Sequence, residues 1–369
     1  MNFALNCLSL GLLTDRAPFV SSKFVEFSIS QTSVRKSFSS FLYTTSFRSV
    51  FLTNCLMKRF LTSSLEIMQN YYVSQTLSCQ STIKVSYGRF EDCSRSNGGG
   101  GGFICRCSTS VLIVENCDFL RCSALGSFTL GSRPDCCGGG FAAECSSANI
   151  SKSTFVSCFG VGTAPTFYIY CPFSSNVFIE NIHQAFCGKG GEYDSWCVDL
   201  PNTTVKCINL SNILFTGGWA AGHAGYSSRW ASFLYVDVRN SKANNIVGNS
   251  IHSSSPPTII KNSNFVNHTS KGIIWISHES HYQNCIFYLC YGSLVENLAS
   301  PPSYLVFKSC IIDSKYSTLS LNTQSCTFPT DLDLNQISVY CTDIMIINTN
   351  AIRVGNRPIP IMLLILLLL

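Results

Sequence analysis

The feature that most constrains the fold is a nine-residue motif that recurs along the chain. Residues 114–122 read VENCDFLRC, and residues 150–158 repeat the pattern as ISKSTFVSC. Further copies occupy residues 85–93, 260–268 and 282–290, in which Phe keeps its place and Cys or His ends the motif. A unit that returns in this way indicates a solenoid, in which each repeat packs on its neighbours and none buries its apolar face alone.

The spacing inside the motif indicates strands. Cys117 and Phe119 lie two residues apart, as do Cys285 and Phe287, and this is the period of a β-strand. Ala, Glu and Lys are scarce beside Ser, Thr, Val, Ile, Phe and Tyr, so amphipathic helices have little to form from. Where neighbouring copies both keep Phe, the interval runs from 22 residues (Phe265 to Phe287) to 36 residues (Phe119 to Phe155). We therefore predict an all-β fold, a right-handed parallel β-helix of roughly ten to thirteen coils with loop insertions.

The motif also predicts which side chains line the interior. In a parallel β-helix each inward side chain stacks on its equivalent one coil away, and burial of one Phe contributes about 2 kcal/mol. The interpretation of the motif is therefore packing. A weaker copy at residues 210–218 keeps Phe215 in the Phe place. The predicted ladder residues are Phe90, Phe119, Phe155, Phe265, Phe287, Cys93, Cys122, Cys158 and Cys290.

Two units carry a glycine pair and a phenylalanine ahead of the motif, namely Gly101-Gly102-Phe103 and Gly139-Gly140-Phe141. This combination resembles the repeats of polymorphic outer-membrane proteins. It resembles more closely the β-helix repeat proteins predicted on the surfaces of trichomonad parasites, in which Cys often holds the place of Asn. The resemblance covers most of residues 50–345. It implies a right-handed parallel β-helix with a surface or adhesive role, and it brings no catalytic residue with it.

The 21 cysteines are spread from Cys7 to Cys341. Their spacings do not match the ligand pairs of zinc sites, so we favour an exported protein over a metalloprotein and infer no cofactor. Equivalent residues of adjacent coils lie about 4.8 Å apart, which is within the Cα separation of a disulfide. Pairs drawn from Cys93, Cys122 and Cys158 are therefore expected to be close enough to bridge. The alternative is that Cys serves there as a small buried residue.

The ends of the chain differ from the repeats. Residues 1–20 are interpreted as an N-terminal cap or a weak signal-like segment, and residues 21–350 as the β-helix. Residues 351–369 are an apolar tail, interpreted as the start of a membrane anchor or as a lipid-anchor signal. With the cysteines, this tail predicts a membrane-anchored protein at the cell surface, or an extracellular one. Four sequons predict glycosylation at Asn149, Asn202, Asn209 and Asn267.

Charge limits the classes of function. The chain has 25 Lys+Arg and 20 Asp+Glu, a net charge of +5 over 369 residues, which is too dilute for a nucleic-acid binder. Acid pairs such as Glu91-Asp92 do not recur at the spacing of one coil, as a carbohydrate-cleaving site would need. We predict a non-enzymatic adhesion or surface-coat protein whose partners are host or matrix glycans or surface proteins. The alternative is a polysaccharide lyase or hydrolase. Residues 222–225 (GHAG) are interpreted as a long insertion from one coil.

Overall fold

The computed structural model describes most of the chain, in ranges separated by gaps. The apolar tail at 351–369 and Phe215 lie outside the described residues, so what the sequence predicts for them stays a prediction. The described ranges are 2–12, 19–21, 25–45, 47–68, 81–96, 98–126, 138–160, 164, 166–172, 176–188, 194–199, 202–214, 220–226, 231–243, 250–252, 258–276, 279–296, 305–319 and 321–333.

Short strands make up nearly all of the described secondary structure, together with one turn of 3-10 helix at Ser314–Tyr316. The first strands are β1 (Asn2–Asn6), β2 (Ser9–Leu10), β3 (Phe19–Ser21), β4 (Val25–Ser30), β5 (Ser33–Val34), β6 (Leu42–Thr44), β7 (Phe47–Thr53), β8 (Leu56–Lys58), β9 (Leu65–Met68), β10 (Thr82–Ser86), β11 (Arg89–Glu91) and β12 (Ser94–Arg95). The middle strands are β13 (Phe103–Glu115), β14 (Asp118–Leu120), β15 (Ser123–Ala124), β16 (Phe141–Val156), β17 (Phe159–Gly160), β18 (Phe167–Tyr170), β19 (Asn176–Ala185), β20 (Asp194–Asp199), β21 (Asn202–Ser211) and β22 (Ala220–Tyr226). The last strands are β23 (Ala231–Arg239), β24 (Ser250–His252), β25 (Thr258–Lys261), β26 (Asn264–Ile276), β27 (Ser280–Gln283), β28 (Ile286–Glu296), β29 (Leu305–Lys308), β30 (Ile311–Ile312) and β31 (Asn322–Gln324).

These strands stack in parallel, each on its equivalent one coil away. Among the described residues the longest stack contains 13 strands. Its pairing continues from β1 through β4 and β7 to β31, with register shifts between Val25 and Glu26 in β4 and between Cys107 and Val111 in β13. A second stack begins with β2, β5, β8 and β11, and a third with β3, β6 and β9. The chain is therefore a parallel β-helix, as predicted, and the stack of 13 strands agrees with the expected number of coils.

Single residues in the left-handed region of backbone conformation turn the chain from one stack to the next. Asn116 (φ 52°) and Arg121 (φ 54°) bend the coil on either side of β14, and the same two places bend most other coils. Asn is frequent at these bends because its short polar side chain tolerates positive φ better than other side chains do. The Asn side chains also bond across coils, as Asn267 does when its amide donates to Asn240 at 2.7 Å.

The glycine pairs allow close packing of the chain at another corner. A Cβ atom on Gly140 would lie 2.8 Å from the carbonyl oxygen of Thr166 and 2.8 Å from the Phe155 ring. Only a residue without a side chain fits there, because neither the stacked backbone nor the buried ring can move away. The second glycine of this Gly-Gly-Phe sequence thus lies where neighbouring coils approach closely.

Two sequence-based interpretations need correction. Residues 222–225 are not an insertion, because they belong to β22, which pairs with β20 and β24 as part of the third stack. The weaker motif at 210–218 was placed in the wrong register, because Leu210 pairs with Gln184 and therefore occupies the Phe place itself. Asn212, which made that copy look like the motif, belongs to the second bend of its coil (φ 52°).

Candidate functional site

The predicted aromatic ladder is present inside the β-helix. Phe119 is fully buried and stacks on Phe90 at 4.9 Å and on Phe155 at 4.7 Å between ring centroids. Phe265 and Phe287 form a second stacked pair at 5.0 Å. Between these two groups the same place is filled by Gln184, Leu210 and Val238. The Phe residues that the motif singled out therefore serve packing.

A second aromatic ladder faces the first one and was missed at the sequence level. Phe141 stacks on Phe103 at 4.9 Å and on Phe167 at 5.3 Å. Its ring also lies 5.7 Å from Phe119 and 6.1 Å from Phe155, so the two ladders interdigitate. The Gly-Gly-Phe sequences were the available signal, because the second glycine of each pair, Gly102 or Gly140, leaves room for the ring of the opposing ladder.

The predicted ladder cysteines are buried and act as hydrogen-bond donors at the second bend. Cys122 Sγ donates to the carbonyl oxygens of Phe90 at 3.4 Å and Leu120 at 3.7 Å. Cys93, Cys158 and Cys290 make the same pair of bonds, one to the preceding coil and one to the residue two positions back. The structure has all four as free thiols. It thus gives them a bend-capping role. The side chain of Cys122 interacts with those of Cys93 and Cys158 on the neighbouring coils, so these three residues lie close together as expected, in the structure as free thiols.

The first bend uses the same device. Cys117 Sγ donates to the carbonyl oxygens of Val85 at 3.4 Å and Glu115 at 3.3 Å. Burial raises the pKa of Cys117 to about 12, so the side chain stays a neutral thiol and does not supply a nucleophilic thiolate. In the next coil Ser153 stands in the same place and donates to Ser151 at 2.8 Å. The hydroxyl therefore keeps the bond within the coil, and toward the preceding coil it accepts a bond from the Cys117 N–H at 3.2 Å.

The predicted glycosylation sites lie at least partly on the surface. Asn149 and Asn267 are exposed, whereas Asn202 and Asn209 are half-buried in β21. Asn267 sits at a bend (φ 56°), where its side chain lies outside the strand ladder. Glycosylation at these four residues stays a prediction.

The main charged cluster lies on the outward face of the second stack, around the buried carboxylate of Glu91. This carboxylate meets three cations, Lys58 at 2.8 Å, Arg121 at 2.7 Å and Arg89 at 3.4 Å. Burial alone would raise the pKa of Glu91, but the hydrogen bond and charge of Lys58, with the charges of the two arginines, hold it below its ordinary value. Glu91 is therefore an ionised counter-ion and has no proton to donate near neutral pH.

Beside this cluster the surface forms a depression of about 460 Å³, which we call the basic depression. It crosses three successive coils, because Arg35 follows β5, Lys58 and Arg59 lie at the end of β8, and Arg89 begins β11. Four cations and one carboxylate give this lining a formal charge of +3. The lining residues are Arg35, Leu56, Lys58, Arg59, Arg89 and Glu91.

Two further groups of acidic residues in the described part of the chain belong to later coils than Glu91. Asp331 and Asp333 are exposed near the last described strand. The Nε2 nitrogen of His281 donates to the Glu279 carboxylate at 2.7 Å, within one coil. Within the part of the chain that the structure describes, no three His, Cys, Asp or Glu side chains are placed to hold a metal ion. Nor does that part contain a helix long and apolar enough to cross a membrane.

Comparison with known proteins adds no name to this geometry. No protein-family model matches the chain, and no curated protein or solved structure matches it either.

Proposed function

We propose that this chain is a non-enzymatic β-helix protein of the cell surface or the extracellular space, with an adhesive or surface-coat role. The resemblance of its repeats to the trichomonad surface proteins and to polymorphic outer-membrane repeats supports the proposal. The cysteine content, the four sequons and the apolar tail support export and anchoring.

The observation that carries the proposal is how the outward charges are used. Glu91 and Asp92 are both bound by Arg121, and Glu115 is bound by Lys84 at 3.1 Å. Carboxylates that are ion-paired with the chain's own cations stabilise the contacts between coils. General acid–base catalysis needs instead a carboxylate that can exchange a proton with the substrate. A stack of coils held in this way is a stiff scaffold that displays side chains at a regular spacing.

The location is tested by surface labelling of intact cells, followed by mass spectrometry of the labelled protein. We expect label on the protein and glycan on exposed sequons, with Asn149 and Asn267 the most accessible of the four. A protein that is labelled only after lysis and has no glycan at any sequon would contradict the proposal.

The alternative, a polysaccharide lyase or hydrolase, is tested with the purified chain. The assay follows the ultraviolet absorbance of new unsaturated ends and the appearance of reducing ends on acidic polysaccharides. We expect neither signal to exceed that of heat-denatured protein. Turnover that is lost in Glu91→Gln would establish the enzyme instead.

A further inference from the structure

The geometry points to a ligand for the basic depression, namely an acidic linear polysaccharide whose sulfate or carboxylate groups bind Arg35, Lys58, Arg59 and Arg89. This inference rests on the proposed adhesive function and names the chemical class of its partner. It also assigns the binding to one face of the β-helix, the outward face of β5, β8 and β11.

Two of the four cations have their charge unused. Lys58 and Arg89 share Glu91 with Arg121. Arg35 and Arg59 are exposed and, in the described part of the chain, have no carboxylate or hydrogen-bond partner for their side chains. A planar guanidinium binds sulfate or carboxylate through two parallel hydrogen bonds. The depression therefore has the capacity for at least one anionic group that the protein itself does not supply.

The arrangement of the cations suits a polymer. The side chains come from three successive coils, which lie about 4.8 Å apart along the stack, and they form a staggered row. Arg35 follows the pair of Val34 with Met57 and so lies beside Lys58, whereas Arg89 pairs with Leu56. Two anionic groups on one chain of sugars can then bind at once, and the second binds at high effective concentration. A single small anion would use only one end of this row.

The remaining surroundings favour sugars over other polyanions. Leu56 gives the depression an apolar wall, and Tyr87, which is 57% exposed, lies at the bend that leads into β11. An exposed ring two residues before Arg89 in the chain gives a sugar ring an apolar face to stack on and a hydroxyl to bond. The recess is short and concave, whereas nucleic acid needs a longer basic track, and a membrane surface needs a flat one.

The test measures binding of the purified full chain to immobilised heparin, as the sulfated probe, and to polygalacturonate, as the carboxylated probe. The variant Arg35→Ser/Arg59→Ser removes two exposed cations that hold no other group of the protein in place. Its matched control is Lys261→Ser/Lys308→Ser. These lysines are also exposed, lie two coils apart, and have no ion pair among the described residues.

We expect the arginine variant to lose roughly tenfold or more in affinity for at least one probe, because each lost guanidinium removes a charge-assisted bidentate contact. The control should bind as the unsubstituted chain does. Equal losses in both variants would show attraction by net charge only, and an unchanged arginine variant would show that the depression is not the site. Stronger binding to duplex DNA or to phosphatidylserine vesicles than to both polysaccharides would also overturn the inference.

The outcome is separable from that of the proposed function. A protein that is labelled at the cell surface but does not bind either polysaccharide through the depression retains its proposed function and loses this ligand. A protein that binds through the depression and cleaves the polymer retains the site and loses the non-enzymatic function.

Discussion

The aromatic ladder predicts a large and position-specific loss of stability in Phe119→Ala. Phe119 is fully buried and is stacked on both sides, on Phe90 and Phe155. Truncation of a buried Phe to Ala costs about 3–5 kcal/mol, and the loss of two stacked neighbours places this site in the upper half, at about 4–5 kcal/mol. Each coil contacts only its two neighbours, so no contact elsewhere in the stack compensates for the packing that is lost at Phe119.

The assay is urea denaturation followed by far-ultraviolet circular dichroism. With an m-value of about 3 kcal/mol per molar urea, a loss of 4 kcal/mol lowers the midpoint by roughly 1.3 M. The matched control is Phe178→Ala, a phenylalanine that is 49% exposed on an outward face, for which we expect a change within about 0.5 kcal/mol. Equal shifts in the two variants would refute the ladder as the source of stability.

Three further perturbations test other parts of the structure. Glu91→Gln leaves three cations without their shared carboxylate. In thermal denaturation it should lower the free energy of unfolding by about 2 kcal/mol, and by less at high salt. The control is Glu180→Gln, which breaks the exposed pair of Glu180 with Lys206 and should cost under about 1 kcal/mol. Because the pKa of Glu91 is lowered in the folded chain, the stability that its ionised form contributes is present above the ordinary pKa of Glu and is lost as the pH falls through the folded pKa. The Gln variant should therefore lose this part of the acid sensitivity of unfolding. Burial lowers the pKa of His268 from 6.5 to about 4, so protonation favours the unfolded chain below pH 6.5. The free energy of unfolding should therefore fall by about 3 kcal/mol between pH 6.5 and pH 4 on account of this residue, and His268→Cys should abolish that slope. Gly140→Ala should cost about 3 kcal/mol or prevent folding, whereas Gly11→Ala, where a Cβ meets nothing within 4 Å, should be close to neutral in the same melts.

Much of the fold was predictable because a parallel β-helix repeats one local rule. The alternation of inward and outward residues has the period of a strand, and equivalent residues stack in register, so the place of Phe119 in one coil predicts the place of Phe155 in the next. The same repetition explains the register error at 210–218. Both bends of a coil use a residue in the left-handed region, and this residue is often Asn, so Asn212 at a second bend imitates Asn116 at a first bend.

The ladder cysteines show where local sequence stopped being sufficient. Their burial followed from the motif, but their bonds did not. The thiol of Cys122 reaches the carbonyl oxygen of Phe90 only because the preceding coil lies directly against it. The spacing of 32 residues between Phe90 and Cys122 does not predict this contact, because loops of different lengths separate one coil from the next.

By itself the sequence determined the strand period, the inward ladders and the repetition of coils, because these depend on residues a few positions apart. Only the tertiary structure decided which outward residues meet. Arg35, Lys58 and Arg89 lie in three separate repeats, and no motif joins them. They line one depression because the coils stack in register, and that register is the sum of every loop length between them, which the local hydrophobic pattern does not encode.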